Sequence, residues 1–316
     1  MKLCLRMVLA GLFALPVAVA MAAPIGYSVN SDEPSGDSLH SIDLATGIAT
    51  PIGLVQSGGV TRLDVEGLAF DPAGVLWGVD EERLKLFPLS QATGQIGTAQ
   101  ERDIVGLAMS TGNDFGMTFT CSGELYISSV SEQSLYRLSL DGAATKVGTL
   151  GVNISSLASF GEPARIFGLG NGLLSDAGPV DSRSLYEIDP LTGAASLVGA
   201  IGPAVADYLQ TGLSFDANGE LWAITDRSSL PGPMGSEILK LDIATGLATL
   251  NATTTVTGFE SLAIAPPADC TPVVEPPPPG PAGDSIPVLN PLGKLLATLL
   301  LALVGAAALR RTTAQP

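Results

Sequence analysis

The chain has few of the residues from which most enzymes build a reactive centre. Its 316 residues contain a single histidine, His40, and three cysteines. A metal site built from several histidines can therefore not be assembled, and no glycine-rich loop has a phosphate-binding spacing. Charged residues make up only 15% of the chain, and the formal net charge is −16. Because a phosphate backbone requires a basic face, nucleic acid is not an expected partner.

Both ends of the sequence have patterns of export and membrane attachment. A charged start and an apolar run, Met7–Ala20, predict a signal peptide over residues 1–22. A proline-rich linker, 269–285, leads to an apolar segment, 286–311, that is long enough to cross a membrane as a helix. The basic end of this segment keeps residues 312–316 cytoplasmic and leaves the main domain outside. The alternatives are a retained N-terminal anchor and a buried C-terminal helix.

The C-terminal segment combines a short motif, a Leu/Ala-rich run and a basic pair. The residues concerned are Ile286, Pro287, Val288, Leu289, Gly293, Arg310 and Arg311. Together they resemble the IPTL-CTERM protein-sorting signal of Gram-negative bacteria, which usually has Thr at the position of Val288 and Trp at that of Leu292. The resemblance implies processing by an exosortase-type transpeptidase. It places the protein in the inner membrane facing the periplasm or, after processing, at the cell surface.

A repeated unit fills the middle of the chain. GLAFDPAGVLWGVDE, GMTFTCSGELYISSV and GLSFDANGELWAITD each alternate apolar with small or polar residues around a glycine, which is typical of a β-hairpin. A second hairpin accompanies the first and occurs five times, at 38–53, 83–99, 134–150, 184–200 and 237–253. Two hairpins form a four-stranded sheet, and a unit that recurs roughly every 40–50 residues is the signature of an all-β propeller.

The repeats predict how the ring closes. We predict five blades over residues 25–268, with six as the alternative, and we treat 101–109 as an insertion. The first unit begins with a lone strand, Ile25–Asn30, and lacks an innermost strand. Phe259–Ala265 aligns with the innermost strand Val65–Asp71 of the next unit. We therefore expect this C-terminal strand to pair with Ile25–Asn30, because stacked sheets bury their faces only in a closed array.

The innermost strands should line the channel in which propellers usually bind ligands. The position two residues before the Leu or Met of each strand is occupied by Glu66, Phe115, Ser155, Thr211 and Glu260. Glu66 and Glu260 come from neighbouring blades and are a candidate metal pair for a divalent cation; alternatively, both are solvated at the rim. The preceding loops contain Asp64, Asp103, Asp114 and Asp207, so the same mouth is expected to be acidic.

Two cysteines remain once the signal peptide is removed. Cys121 lies in a first-hairpin turn, and Cys270 follows the closing strand, so both should lie on the same side of the ring. Export permits a disulfide between them; otherwise both are free thiols.

The patterns favour a binding module over an enzyme. We predict an exported, membrane- or surface-anchored propeller that binds a protein, a glycan or a small ligand at the channel mouth. It has no identifiable catalysis and no cofactor other than the candidate cation. A metal-dependent hydrolase or lactonase at the acidic mouth is one alternative, and a structural envelope component is another.

Overall fold

A computed structural model describes residues 23–31, 36–97, 99–107, 113–175, 179–232 and 234–265. These residues form short β-strands joined by tight turns. The strands are β1 (Ile25–Asn30), β2 (Ser38–Asp43), β3 (Ala49–Leu54), β4 (Gln56–Ser57), β5 (Val60–Thr61), β6 (Val65–Phe70), β7 (Leu76–Asp80), β8 (Lys85–Leu89), β9 (Arg102–Asp103), β10 (Phe115–Phe119), β11 (Leu125–Ser129), β12 (Ser134–Leu138), β13 (Ala144–Thr149), β14 (Ile154–Phe160), β15 (Arg165–Gly170), β16 (Ser184–Ile188), β17 (Ala195–Ala200), β18 (Thr211–Phe215), β19 (Leu221–Thr225), β20 (Glu237–Leu241), β21 (Ala248–Thr253) and β22 (Ala263–Ala265).

Twenty of these strands form five four-stranded antiparallel sheets, which are the blades of a propeller, and β4 pairs with β5 in a separate two-stranded sheet. Blade 1 has the order β22-β1-β2-β3, and blades 2 to 5 are β6–β9, β10–β13, β14–β17 and β18–β21. The predicted closure is confirmed, because β22 pairs with β1 in the register Tyr27 to Ala263 and Ile25 to Ala265. A further bridge joins Asn30 to Phe259. The first blade is thus built from both ends of the domain.

The hydrophobic core lies between the blades. The buried apolar residues divide into five clusters, and each cluster joins one pair of neighbouring blades. The cluster between blades 5 and 1 packs Trp222 and Ile224 against Ile42, Phe259 and Ile264. The closing interface is therefore of the same kind as the other four. A single four-stranded sheet could not bury these side chains alone.

Aspartate carboxylates stabilise hairpin turns between the strands. In the first hairpin of blade 5, Asp216 Oδ1 accepts hydrogen bonds from the backbone N–H groups of Asn218 and Glu220 at 2.9 and 3.0 Å. The carboxylate of Asp242 does the same for Ala244 in the second hairpin. These two aspartates thus stabilise their turns by bonding the nearby backbone.

Blade 2 departs from the expected repeat. Its outer strand is β9, which pairs with Lys85 and Leu86 and comes from the segment that the sequence treats as inserted. The expected outer segment instead turns away after one bridge between Leu89 and Ile96. The backbone N–H of Ile96 donates to Gln56 of β4, so a contact outside the blade takes the place of the sheet ladder.

Within the residues described, no helix is long and apolar enough to span a membrane. The predicted signal peptide, the linker, the transmembrane segment 286–311 and the sorting motif lie outside the described ranges.

Candidate functional site

The innermost strands surround a narrow central channel. The five predicted ring residues all line one cavity of about 10 Å³ in it. Leu68, Met117, Leu157, Leu213 and Leu262 border this cavity and also a second one of about 50 Å³ towards the other end. These five apolar side chains are at most 3% exposed. The channel consequently has two mouths with a packed apolar ring between them.

Irregular pairing of the inner strands places the polar residues of the first mouth. In blade 2, Val65 pairs with Asp80 and Gly67 with Val79, so Glu66 is an extra, unpaired residue. The inner strand of blade 4 has the same irregularity at Ser155. Such β-bulges bend a strand and re-aim a side chain, and they are frequent beside binding sites. The alternation of residues in the sequence contains no signal for this extra residue.

A backbone hydrogen bond recurs in every blade at this mouth. It runs from the residue after the second strand to the residue before or at the start of the first strand. The pairs are Glu81 to Asp64, Val130 to Asp114, Asn171 to Asn153, Asp226 to Gln210 and Ser31 to Gly258. The bond fixes the backbone of both residues at this end of the blade. Sequence reasoning missed Glu81, although its position after the second strand is polar in four of these five pairs.

Blade 2 brings three carboxyl groups together at the rim. Asp64, Glu66 and Glu81 each have an oxygen within 4.8 Å of the others. Glu66 is 8% exposed and Glu81 is 9% exposed. The carboxyl groups of Glu66 and Glu81 are close enough to influence each other's protonation. The structure thus groups Glu66 with two residues of its own blade, whereas its predicted partner Glu260 lines the same channel and interacts electrostatically with Glu81.

Asp114 of the neighbouring blade 3 extends this acidic group to a second blade. Its carboxylate interacts electrostatically with Glu66 and Glu81, and its Oδ2 accepts a hydrogen bond of 3.5 Å from Asn171 Nδ2 of blade 4. We call Asp64, Glu66, Glu81 and Asp114 the mouth carboxyls. Of the ion pairs formed by the described residues, none includes a mouth carboxyl. The nearby Arg62 is paired with Asp80 and Glu101 instead.

Burial is the main cause of the raised carboxyl pKa values at this mouth. It raises the pKa of Asp64 and of Asp114 to about 6, with a further contribution from neighbouring carboxylates. Burial, and then repulsion by the other mouth carboxyls, raises the pKa of Glu66 well above its usual range. The pKa of Glu81 is also raised by burial. Protonation or a cation must therefore offset the mutual repulsion of the mouth carboxyls.

The raised pKa values predict the pH dependence of one variant. A carboxyl whose pKa is higher in the folded chain stabilises the fold fully below its unfolded value, about 3.9 for Asp, and loses that effect as the pH rises through its folded value. With a chelator present, we expect Asp114→Asn to gain stability relative to the wild type between pH 4 and 7. The gain is on the order of 3 kcal/mol for a shift of this size. Urea unfolding at several pH values measures it.

The control is Asp207→Asn at the same end of blade 5. The side chain of Asp207 is 61% exposed and pairs with Arg183. The difference in free energy of unfolding between this variant and the wild type should not rise over the same pH range. If the stability difference between Asp114→Asn and the wild type were also independent of pH, the raised pKa of Asp114 would be contradicted.

Other polar residues that the sequence suggested lie away from the site. Asp103 is in the outer strand β9, where it pairs with Lys85, and Asp207 is the exposed partner of Arg183. Their positions in loops were therefore poor guides to the channel. His40 is buried in blade 1, where its ring packs edge-on against Phe259 at 5.3 Å. The lone histidine therefore belongs to the packed interior of blade 1.

The second mouth lies at the turns of the first hairpins. Asp71, Thr120, Cys121 and Ser214 line it together with apolar residues of the inner strands. Cys121 is disulfide-bonded. Its predicted partner Cys270 lies outside the described residues, so the pairing remains a prediction. Ile264 of the closing strand borders the same mouth.

Fold and site together define a five-bladed β-propeller with one acidic channel mouth. No protein-family profile and no curated protein matches the chain. Solved structures are similar to it at low identity, among them a protein of unknown function from Bacteroides thetaiotaomicron, with 16% identity and a TM-score of 0.42 over 62% of this chain and 52% of that one. The chain therefore spans about half the length of that protein.

Two further similar structures have described activities. Virginiamycin B lyase from Staphylococcus aureus is 15% identical, with a TM-score of 0.39 over 72% of this chain and 69% of that chain. The calcium-binding protein regucalcin from Agrobacterium tumefaciens is 18% identical, with a TM-score of 0.38 over 62% of this chain and 61% of that chain. At such similarity neither activity is transferred to this chain. The propeller assignment rests on its own strand pairing.

Proposed function

We propose that the chain is an exported, membrane-anchored propeller that binds a positively charged ligand at the acidic mouth and catalyses no reaction on it. The observation that supports the proposal is the group of mouth carboxyls, which no lysine or arginine among the described residues pairs with. Burying several like charges costs free energy unless an opposite charge offsets it. A cationic ligand supplies that charge.

The sequence supports the location part of this proposal. The signal-peptide pattern directs the propeller across the inner membrane. The proline-rich spacer and the segment resembling a sorting signal then hold it there, or pass it to a transpeptidase for display at the surface. In this arrangement a ligand from outside the cytoplasm reaches the mouth without crossing a membrane.

Ligand binding is tested by thermal unfolding of the purified full-length protein with three probes: calcium chloride, spermidine and sodium sulfate. A ligand that binds only the folded chain raises the melting temperature. We expect at least one of the two cations to raise it, and sulfate to have no effect. The double variant Glu66→Gln/Glu81→Gln should lose the response. If neither cation shifts the wild-type melting temperature, the proposal is wrong.

The hydrolase alternative uses the same carboxyls to hold a metal that activates water. It is examined with a panel of lactones and esters. Turnover that a chelator abolishes, and that Glu66→Gln also removes, would replace the binding module by a metal-dependent hydrolase. Absence of turnover together with cation binding supports the binding module, and absence of both favours a structural envelope component.

A further inference from the structure

We propose that the ligand of the acidic mouth is a hard divalent metal ion of the calcium type, held directly by Asp64, Glu66 and Glu81. This inference rests on the proposed function and narrows it from any cation to a metal ion. Three observations support it: the spacing of the oxygens, the hydrogen bonding of the buried acceptors, and the space around them.

The spacing of the three carboxyls fits one coordination sphere. Calcium–oxygen distances are about 2.3–2.6 Å, so oxygens on opposite sides of the ion lie about 4.6–5.2 Å apart. The selected oxygens of Asp64, Glu66 and Glu81 all lie within 4.8 Å of one another. A single calcium ion can therefore contact all three residues.

Two buried oxygens at this mouth have no hydrogen-bond donor. Glu81 Oε1 accepts no hydrogen bond although the residue is only 9% exposed. Asn171 Oδ1 is in the same state at 7% exposure, while the Nδ2 of the same amide donates to Asp114. A buried acceptor without a donor is costly. A metal ion bound between the carboxyls satisfies Glu81 Oε1 directly, and Asn171 offers an uncharged oxygen of the kind that calcium also accepts.

The surroundings favour a bare ion over an organic cation. The cavity beside Glu66 and Glu260 has a volume of about 10 Å³, which is about the room that one water molecule needs. This cavity, which Glu66 lines, is therefore too small for an alkylammonium or guanidinium group to reach Glu66 through it. The three proposed ligands are all carboxylates, with no histidine or cysteine in the group. Oxygen ligands of this type select calcium over zinc or copper.

Isothermal titration of the full-length protein with calcium chloride tests the inference. We expect saturable binding of one ion per chain. Glu81→Gln should weaken it about 10- to 100-fold, as expected when a charged ligand becomes neutral. The matched control is Glu82→Gln, which removes the same charge from the neighbouring exposed residue. It should change the affinity less than about 3-fold, since only long-range attraction is lost.

Thermal unfolding of Glu81→Gln in the presence of a chelator shows whether the variant is folded. The variant should be at least as stable as the wild type, because one repulsive charge is removed. Spermidine provides the separating comparison. Calcium binding without spermidine binding supports the inference. Spermidine binding without calcium binding overturns it but leaves the proposed function intact, whereas binding of neither overturns both. Equal calcium affinity of wild type and Glu81→Gln would also overturn it.

Discussion

Replacing Ile264 by aspartate should destabilise the folded chain by more than about 4 kcal/mol, the range reached when a charge is buried without a partner. Ile264 is 1% exposed and belongs to the cluster between blades 5 and 1. Its strand, β22, pairs with β1 at Gly26. The substitution therefore weakens the contact that joins the two ends of the domain. Urea unfolding followed by circular dichroism measures the loss.

Two variants separate ring closure from a general effect of the substitution. Ile264→Val keeps the strand apolar and should cost only about 0.5–1.5 kcal/mol. Leu191→Asp adds the same charge on a turn whose side chain is 85% exposed, and it should change stability by no more than about 0.5 kcal/mol. Hydrogen exchange at Gly26 and Tyr27 should accelerate in Ile264→Asp. If Ile264→Asp unfolds at the same urea concentration as Ile264→Val, the closing strand does not carry the stability of the ring.

The propeller was predictable because the same pattern of strands and turns recurs along the sequence. Each blade must bury the same faces, so the hairpins retain a recognisable pattern of apolar strands and glycine turns. The missing strand of the first unit and the spare segment Phe259–Ala265 could be matched by alignment alone, and β22 pairs as expected. The blade count followed from that match, and the structure has five four-stranded sheets.

The acidic mouth was only partly predictable. Alignment placed Glu66 in the channel because the inner strands share a pattern. Glu81 was missed because it follows the second strand, and its position depends on the backbone bond to Asp64. Asp103 was misplaced because the outer strand of blade 2 comes from a different segment than in the other blades. The places of Glu81 and Asp103 depend on contacts between distant segments of the chain. The repeat pattern within a single strand carries no information about those contacts.

The junctions between the outer parts of the blades depend on glycine. The turn of the second hairpin in each blade approaches the outer strand of the preceding blade. Gly193 lies against Gly148, Gly246 against Gly199, and Gly94 against Gly53. The remaining two junctions bring Gly142 to Asp103 and, at the closure, Gly47 to Thr253. All five blade boundaries are therefore joined by backbone contact that a side chain would prevent.

Gly148→Ala is expected to disrupt one of these junctions. An added Cβ would lie far inside van der Waals contact with the carbonyl oxygen of Thr192, and one added at Gly193 would lie 2.9 Å from backbone atoms of Gly148. Because backbone on both sides must move, the cost should reach the upper part of the range for overpacking, about 3 kcal/mol or more. Thermal unfolding should show a fall of roughly 6–12 °C, given about 2–4 °C per kcal/mol for a domain of this size.

Gly74→Ala provides the comparison that isolates the junction. Gly74 has a φ of +81° and no atom within 4 Å of an added Cβ, so alanine there costs only the backbone strain of about 1–2 kcal/mol. Gly199→Ala, which meets the carbonyl of Thr245 at the next boundary, should resemble Gly148→Ala. If both junction variants unfold no earlier than Gly74→Ala, the blades are held by their apolar clusters alone and the glycine contacts are incidental. A larger loss at both would show that the blade boundaries depend on close backbone packing as well as on apolar burial.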